Sequence, residues 1–281
     1  DLSRKNNTLL VEAFMYKMHP QTQKVIELVR ERMQGTVTID ASFCFAVDVP
    51  ETHRLVNREL GGGSILDIGC YPGSYSRLIV GAANGKNFMN PVIVDGDETF
   101  LNKQNIDLYA AANLEFEDGS QARIRSATDR VVIFDQNEGI QFEDKSEVLI
   151  MGDKYNIMIE QPWHCGEFTG RKSVIRIWET GKSIDSNPEI IEINTSKGLY
   201  ELEIDHFTQC YNNGDIESPL VPHSDSHGNM IALDRWRSDS NVVYDDDMGE
   251  RRRIPIIQEI SKRDTLPSLK IPGIDKELSR V

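Results

Sequence analysis

The stretch IDLYAAANLEFEDGSQARIRSAT, residues 106–128, decides the fold class. Two β-rich runs, Ile106 to Phe116 and Ser120 to Thr128, flank Glu117-Asp118-Gly119-Ser120, the signature of a hairpin turn. Polar and apolar residues alternate through both runs, which predicts a sheet with two distinct faces. Working outward, similar pieces recur at Pro91 to Phe100, Glu147 to Met151, Tyr155 to Glu160, Ser173 to Thr180 and Ile190 to Asn194. No helix of crossover length intervenes between residues 88 and 196, so these strands should be mainly antiparallel.

The flanks read differently. Thr8 to Met15 is a continuous apolar run, the pattern of a strand covered on both faces. Thr22 to Gln34 reads as a helix, with Val25, Leu28, Val29 and Met33 on one stripe and Gly35 as its stop. Thr36 to Val47 reads as a strand with Val37, Ile39, Phe43 and Phe45 on one side. A helix is expected over about 70–81, and two more over about 198–213 and 226–238. Met230, Leu233 and Trp236 in the last form a core stripe. From Glu250 to Val281, eight basic residues stand against five acidic ones, with Pro255, Pro267 and Pro272 breaking any long helix. This is the composition of a linker.

The chain of 281 residues carries 31 basic and 45 acidic side chains, a formal charge of −14. That argues against a nucleic-acid partner, which needs a basic face to replace counterions. No apolar run is long enough for a membrane span. Cys44, Cys70, Cys165 and Cys210 are scattered without a CxxC, which suits a reducing, cytoplasmic setting. The cluster Gly61-Gly62-Gly63 fits neither G-x-G-x-x-G nor a P-loop and reads as a flexible loop. No zinc spacing and no nucleophile elbow is present. Asp245-Asp246-Asp247 lacks the spaced ligands of a calcium loop and reads as a solvated acidic turn.

Two segments resemble the Gfo/Idh/MocA oxidoreductases, in the branch of the sugar and dihydrodiol dehydrogenases. Val11 to Gln21, VEAFMYKMHPQ, resembles the passage from nucleotide domain to second domain, and Leu66 to Pro72, LDIGCYP, resembles the active-site segment. The Phe116 to Ser120 hairpin and His227 to Arg237 fit the same pattern, and the match runs over about residues 8–245. The resemblance implies an α+β fold: a large, open, mostly antiparallel β-sheet with helices on one face. It also implies a Rossmann domain for NAD or NADP, which has no counterpart in this sequence. The implied division is 1–15 as the last strand of the nucleotide domain, 16–247 as substrate and oligomerisation domain, and 248–269 as linker. Residues 270–281 resemble the opening of an aldo/keto reductase, as in a fusion.

By the same resemblance, Tyr71 donates or accepts the proton and Asp67 orients it or a substrate hydroxyl. Lys17, His19 and Trp163 would contact a sugar or polyol. A free tyrosine titrates near 10, so it needs a cation to act as a base. The family supplies one from a Glu-Lys-Pro motif, which this sequence does not contain. Other readings remain open from the residues alone. Asp67 is also a good helix cap; Tyr71, Trp163 and His19 are also plausible packing residues, and Cys70 an inert thiol. Lys17 lacks the bidentate fork of the arginine often found at its position. The resemblance further implies a homo-oligomer formed through the open sheet, and no tight cofactor binding by this chain alone. The rival expectation is a non-catalytic scaffold or sensor of the same fold.

Overall fold

A computed structural model describes residues 2–128, 146–168, 170–244 and 247, and the backbone of 133–134 and 139–140. The linker and tail expected over 248–281 lie outside the described residues, as do Asp245 and Asp246. The centre is an eight-stranded sheet. In chain order its strands are β1 (Thr38–Cys44), β2 (Ile93–Leu101), β3 (Asp107–Glu115) and β4 (Gln121–Ala127). A two-stranded ribbon follows, β5 (Ile133–Phe134) with β6 (Gly139–Ile140). The sheet resumes with β7 (Ser146–Met151), β8 (Tyr155–Ile159), β9 (Lys172–Glu179) and β10 (Glu189–Asn194). The spatial order is β10-β9-β8-β7-β1-β4-β3-β2. Every pairing is antiparallel except β1 with β4 at the centre, where Ala41 lies opposite Ile124. The expected α+β architecture is what the chain adopts.

Alternation sorts the two faces. Ile39, Ala41, Phe43, Ile124, Val148, Ile150, Ile157, Ile175 and Ile177 are buried in the main core. Above them lie α2 (Pro20–Arg32), α3 (Cys70–Ala83) and α5 (His223–Asp239). The opposite face carries a small separate cluster of Cys44, Tyr109, Ala111 and Ala127. It also carries the Asp40–Arg125 ion pair. Leu149 opposite Met158, and Asn156 opposite Trp178, extend that face as a half-buried, largely apolar row.

Thr8 to Met15 is not a strand. Leu2–Asn6 forms a short helix, α1, and residues 8–14 run on without a sheet partner. Leu10 is 59% exposed and its amide donates to the Ile216 carbonyl at 3.1 Å. A strand needs a neighbouring edge for its backbone, and this segment meets a loop instead. Its apolar residues divide: Phe14 and Met15 enter the core, and Met15–Met18 turns as a 3₁₀ helix.

The remaining helix, α4 (Leu199–Asn213), lies over that 3₁₀ turn with its faces inverted. Tyr200, Ile204, Phe207 and Tyr211, spaced i, i+4, i+7 and i+11, are all exposed. Leu199, Glu203, His206 and Cys210, on the parallel stripe, are buried or half-buried.

One buried carboxyl anchors the start of the α3 region. A π-helical turn, Ile65–Gly69, leads directly into α3. The Ile65 amide donates to Asp107 Oδ2 at 2.6 Å, and the Ser64 hydroxyl does so at 2.9 Å. Gly63 precedes it with φ +129°; a Cβ there would stand 2.2 Å from Asp107 Oδ1. The glycine cluster is thus a packed turn, not the flexible loop expected, because the carboxyl occupies the space a side chain would need. Burial pushes Asp107 up to about 6 from 3.8, against the downward pull of the donors from Ile65 and Ser64. The folded protein therefore holds this proton more tightly than the unfolded chain. Its contribution to stability is complete below about pH 4 and declines as pH rises through 6, by at most about 1.4 kcal/mol per unit for one proton. Asp107→Asn keeps an acceptor oxygen and removes the proton, so chemical denaturation of the variant should show a flatter stability profile between pH 4 and 6. An unchanged slope would count against this assignment.

Candidate active site

The π turn sets where Asp67 and Tyr71 stand. Such turns carry one residue more than α-helical winding and shift the faces that follow. Gly69 sits under Trp236, where a Cβ would be 2.8 Å from the indole ring, so the turn packs close against α5. Trp236 is fixed in turn by its Nε1–H, which donates to the Ala111 carbonyl at 3.1 Å. Asp67 lies mid-turn, paired with Arg54 at 2.5 Å. An open cleft of about 160 Å³ lies beside it, lined by Arg54, Leu55, Leu60, Gly61, Gly62 and Leu66.

Tyr71, one turn further, stands at the edge of an aromatic cluster. Its ring centroid is 5.3 Å from Phe43, 5.4 Å from Phe14, and 5.9 Å from both Tyr16 and Trp163. The contacts with Phe43, Phe14 and Trp163 are edge-on, the geometry that ring quadrupoles favour. Tyr71 is half-buried, and among the described residues its hydroxyl reaches only Met15 Sδ, at 3.5 Å. A thioether is a weak acceptor, so this contact holds the hydroxyl only loosely. Burial raises the phenol's pKa well above its ordinary value, and the nearby charges of Asp67 and Glu203 raise it further. As described, Tyr71 is a neutral phenol that can give a proton. To take one it needs a cation, and no cation contributes to its shift. Cys70 is likewise held protonated, pushed up to about 12 by burial and by Glu12 and Asp67. It is no nucleophile at neutral pH.

The other expected contacts lie deeper. Lys17 is 2% exposed and its ammonium is ion-paired with Asp225, whose other oxygen takes Arg77 Nη1 at 2.7 Å. The pair holds the Lys17 ammonium in the interior. Burial pulls its pKa down while Asp225 pulls it back. Trp163 is fully buried and its indole N–H donates to the Ser42 carbonyl at 3.0 Å. It stacks on Phe43 with an interplanar angle of 22°. In this structure it is a packing residue. His19, 2% exposed, caps α2: its Nδ1 accepts the Gln21 amide at 3.1 Å. Burial lowers it to about 4, so it stays neutral. The structure thus brings Tyr71, the Phe14–Tyr16 segment and Trp163 into one aromatic cluster, with Trp163 on its buried side, and places Lys17 and His19 in the interior. The sequence reading passed over Glu12 and Glu203, each with a buried carboxylate oxygen lacking a partner. An acid on the inward stripe of α4 was the signal available for Glu203.

Among the described residues no glycine-rich turn joins a strand to a helix N-terminus, and no group of three metal-binding side chains gathers. Among the described residues no helix is long and apolar enough to cross a membrane.

No family model matches the chain. Individual proteins do. A D-xylose 1-dehydrogenase (NADP(+)) from Haloferax volcanii is 32% identical over 225 residues, 80% of this chain and 60% of that protein. A trans-1,2-dihydrobenzene-1,2-diol dehydrogenase from Xenopus laevis is 25% identical over 86% of this chain and 66% of that protein. The chain thus spans somewhat under two thirds of the length of these relatives. The fold matches an aldose-aldose oxidoreductase from Caulobacter crescentus, solved with glycerol, at a TM-score of 0.65 and 20% identity, over 85% of this chain and 63% of that one. It also matches a 3-ketoreductase from Actinomadura kijaniata, solved with TDP-benzene and NADP, at 0.60 and 18%, over 84% and 63%. By sequence and by fold, the relatives of this chain are oxidoreductases of the Gfo/Idh/MocA type, the family its motifs resemble. The two relatives by sequence named here are a sugar dehydrogenase and a dihydrodiol dehydrogenase.

The Asp225 pairing makes a direct test of the scaffold behind the site. Asp225→Ala leaves two buried cations without their counter-ion and should cost about 3–5 kcal/mol. Urea denaturation would measure it, and a loss under 1 kcal/mol would show that the triad is not what holds these elements.

Proposed function

We propose that this chain forms the substrate-side wall of an NAD(P)-dependent oxidoreductase acting on a carbinol or carbonyl of a sugar or polyol. The observation that carries this reading is the Tyr71 hydroxyl, half-buried within electrostatic reach of Asp67 and, among the described residues, engaged only by a thioether. The relatives supply the reaction class: one is an NADP-dependent dehydrogenase of D-xylose, another a dihydrodiol dehydrogenase. NAD(P) supplies or accepts the hydride and is held by elements outside the described residues. Tyr71 donates a proton to the nascent alkoxide when a carbonyl is reduced, and takes the hydroxyl proton in the reverse direction once a cation lies beside it. Asp67 orients that hydroxyl, with Arg54 fixing the carboxylate. Residues 16–247 form the substrate and oligomerisation domain in this reading. The apolar row around Leu149, Met158 and Trp178 is the surface on which a second copy sits.

Activity assays with a panel of aldoses and either dinucleotide test the chemistry. Tyr71→Phe should lower turnover by about 10²-fold or more while leaving the fold intact, since only the thioether contact is lost. Full activity in that variant would remove Tyr71 from the mechanism. No turnover by the wild-type holoenzyme on any sugar would favour a scaffold or sensor instead.

Association is tested by light scattering. The wild-type chain should have the mass of an oligomer, and Met158→Lys should shift it toward monomer. A wild-type monomer at high concentration would defeat this interface.

A further inference from the structure

The strands bring a second aromatic group to the edge where Tyr71 stands. β1 and β8 each pair antiparallel with β7, so they run the same way and end at one edge of the sheet. Phe43 lies near the end of β1, and the loop after β8 carries Trp163, His164 and Cys165. Trp163 and Cys165 are buried, while His164 between them is only half-buried. The loop is pinned by bonds from the Cys165 amide to the Gln161 carbonyl and from the Glu167 amide to the His164 carbonyl, both 2.8 Å. The His164 ring meets Phe43 edge-on at 5.6 Å and Phe168 at 4.9 Å. Phe43 therefore touches both this imidazole and Tyr71. Glu167 accepts the Leu199 amide at 2.9 Å, tying the loop to the start of α4, where Tyr200 lies within electrostatic reach of Tyr71. The His164 imidazole has no hydrogen bond or ion pair among the described residues, and its nitrogens are open to solvent. Burial lowers its pKa, so at neutral pH one nitrogen donates and the other accepts. Phe168 beside it is 77% exposed.

We infer that His164 and Phe168 are substrate-binding residues of this site: the imidazole bonds a substrate hydroxyl remote from the reacting carbon, and the Phe168 ring covers the carbon skeleton beside that hydroxyl. An imidazole held between two rings on a pinned loop gives up little freedom when it takes a ligand. An exposed phenyl ring gains by covering apolar C–H surface. The pair thus offers a polar atom and an apolar face side by side, which is what a hydroxylated carbon chain presents in return. Tyr71 works on the reacting end, and this corner holds the far end. This inference rests on the oxidoreductase reading above and names residues that reading leaves unassigned.

The test is steady-state kinetics of the NAD(P)-bearing holoenzyme with the sugar it turns over best among neutral pentoses and hexoses. His164→Ala should raise KM for that sugar about five- to tenfold, the scale of one lost hydrogen bond, with a smaller change in kcat. His164→Gln keeps a donor and an acceptor, so it should hold KM within about threefold of wild type. Phe168→Ala should raise the same KM by about threefold or more, and Phe168→Tyr should restore it. Phe168 is exposed, so its loss leaves the core intact. The KM for the dinucleotide should stay put in every variant. An unchanged sugar KM in both alanine variants overturns the inference, as does a rise confined to the dinucleotide or a loss confined to kcat. If Tyr71→Phe abolishes turnover while all the His164 and Phe168 variants behave as wild type, the oxidoreductase reading stands and this inference alone falls. If no sugar is turned over by the wild type, both fall.

Discussion

A single carboxylate ties the site's scaffold together. Asp225, at the start of α5, holds Lys17 from the 3₁₀ turn and Arg77 from α3. Three segments far apart in sequence therefore meet at one ion. Arg77 also donates to Asn90 Oδ1 at 2.7 Å and lies over the Phe88 ring, so the connection extends to the loop before β2. Buried ions of this kind are not a cheap source of stability, because desolvation offsets most of the attraction. Their use here is geometric. Lys17 is flanked by Tyr16 and Met18, and Tyr16 in turn packs on Tyr71 and bonds Ser74 at 3.0 Å. Fixing the lysine fixes the aromatic shelf on which Tyr71 rests.

The shelf explains the division among the aromatic hydroxyls. Tyr16 is fully buried, bonded and held protonated by burial. Tyr75 is buried, and among the described residues its hydroxyl has no partner. Tyr71 is the one at the edge, with a replaceable partner and carboxylates nearby. A phenol in such a place stays protonated, held so by burial and the nearby carboxylates.

Much of the fold was legible in the sequence because its signals were local. The strands around Glu117 to Ser120 announced themselves by alternation and turn chemistry, and the stripe of Val25, Leu28 and Val29 announced α2. Thr8 to Met15 misled because continuous apolarity does not distinguish a doubly covered strand from a segment that sends two residues into a core. The site was only partly legible. Asp67 and Tyr71 came from motif and spacing. Lys17 and Trp163 looked available because nothing local shows that Asp225, more than two hundred residues away, and the Ser42 carbonyl would claim them. The facing of α4 was hidden for the same reason: which side turns inward is decided by packing, and here the aromatic side faces out.

The π turn at Ile65–Gly69 has a consequence for reading variation. Each residue of helix rotates the chain by about 100°. A homologue that lost a single residue between Ser64 and Cys70 would still align well and still be helical. Yet its phenol would sweep away from the shelf, and the glycine that accommodates Trp236 would no longer lie beneath the indole. Gain or loss of length at this point is thus a sharper divider among sequences of this kind than many exchanges of side chain.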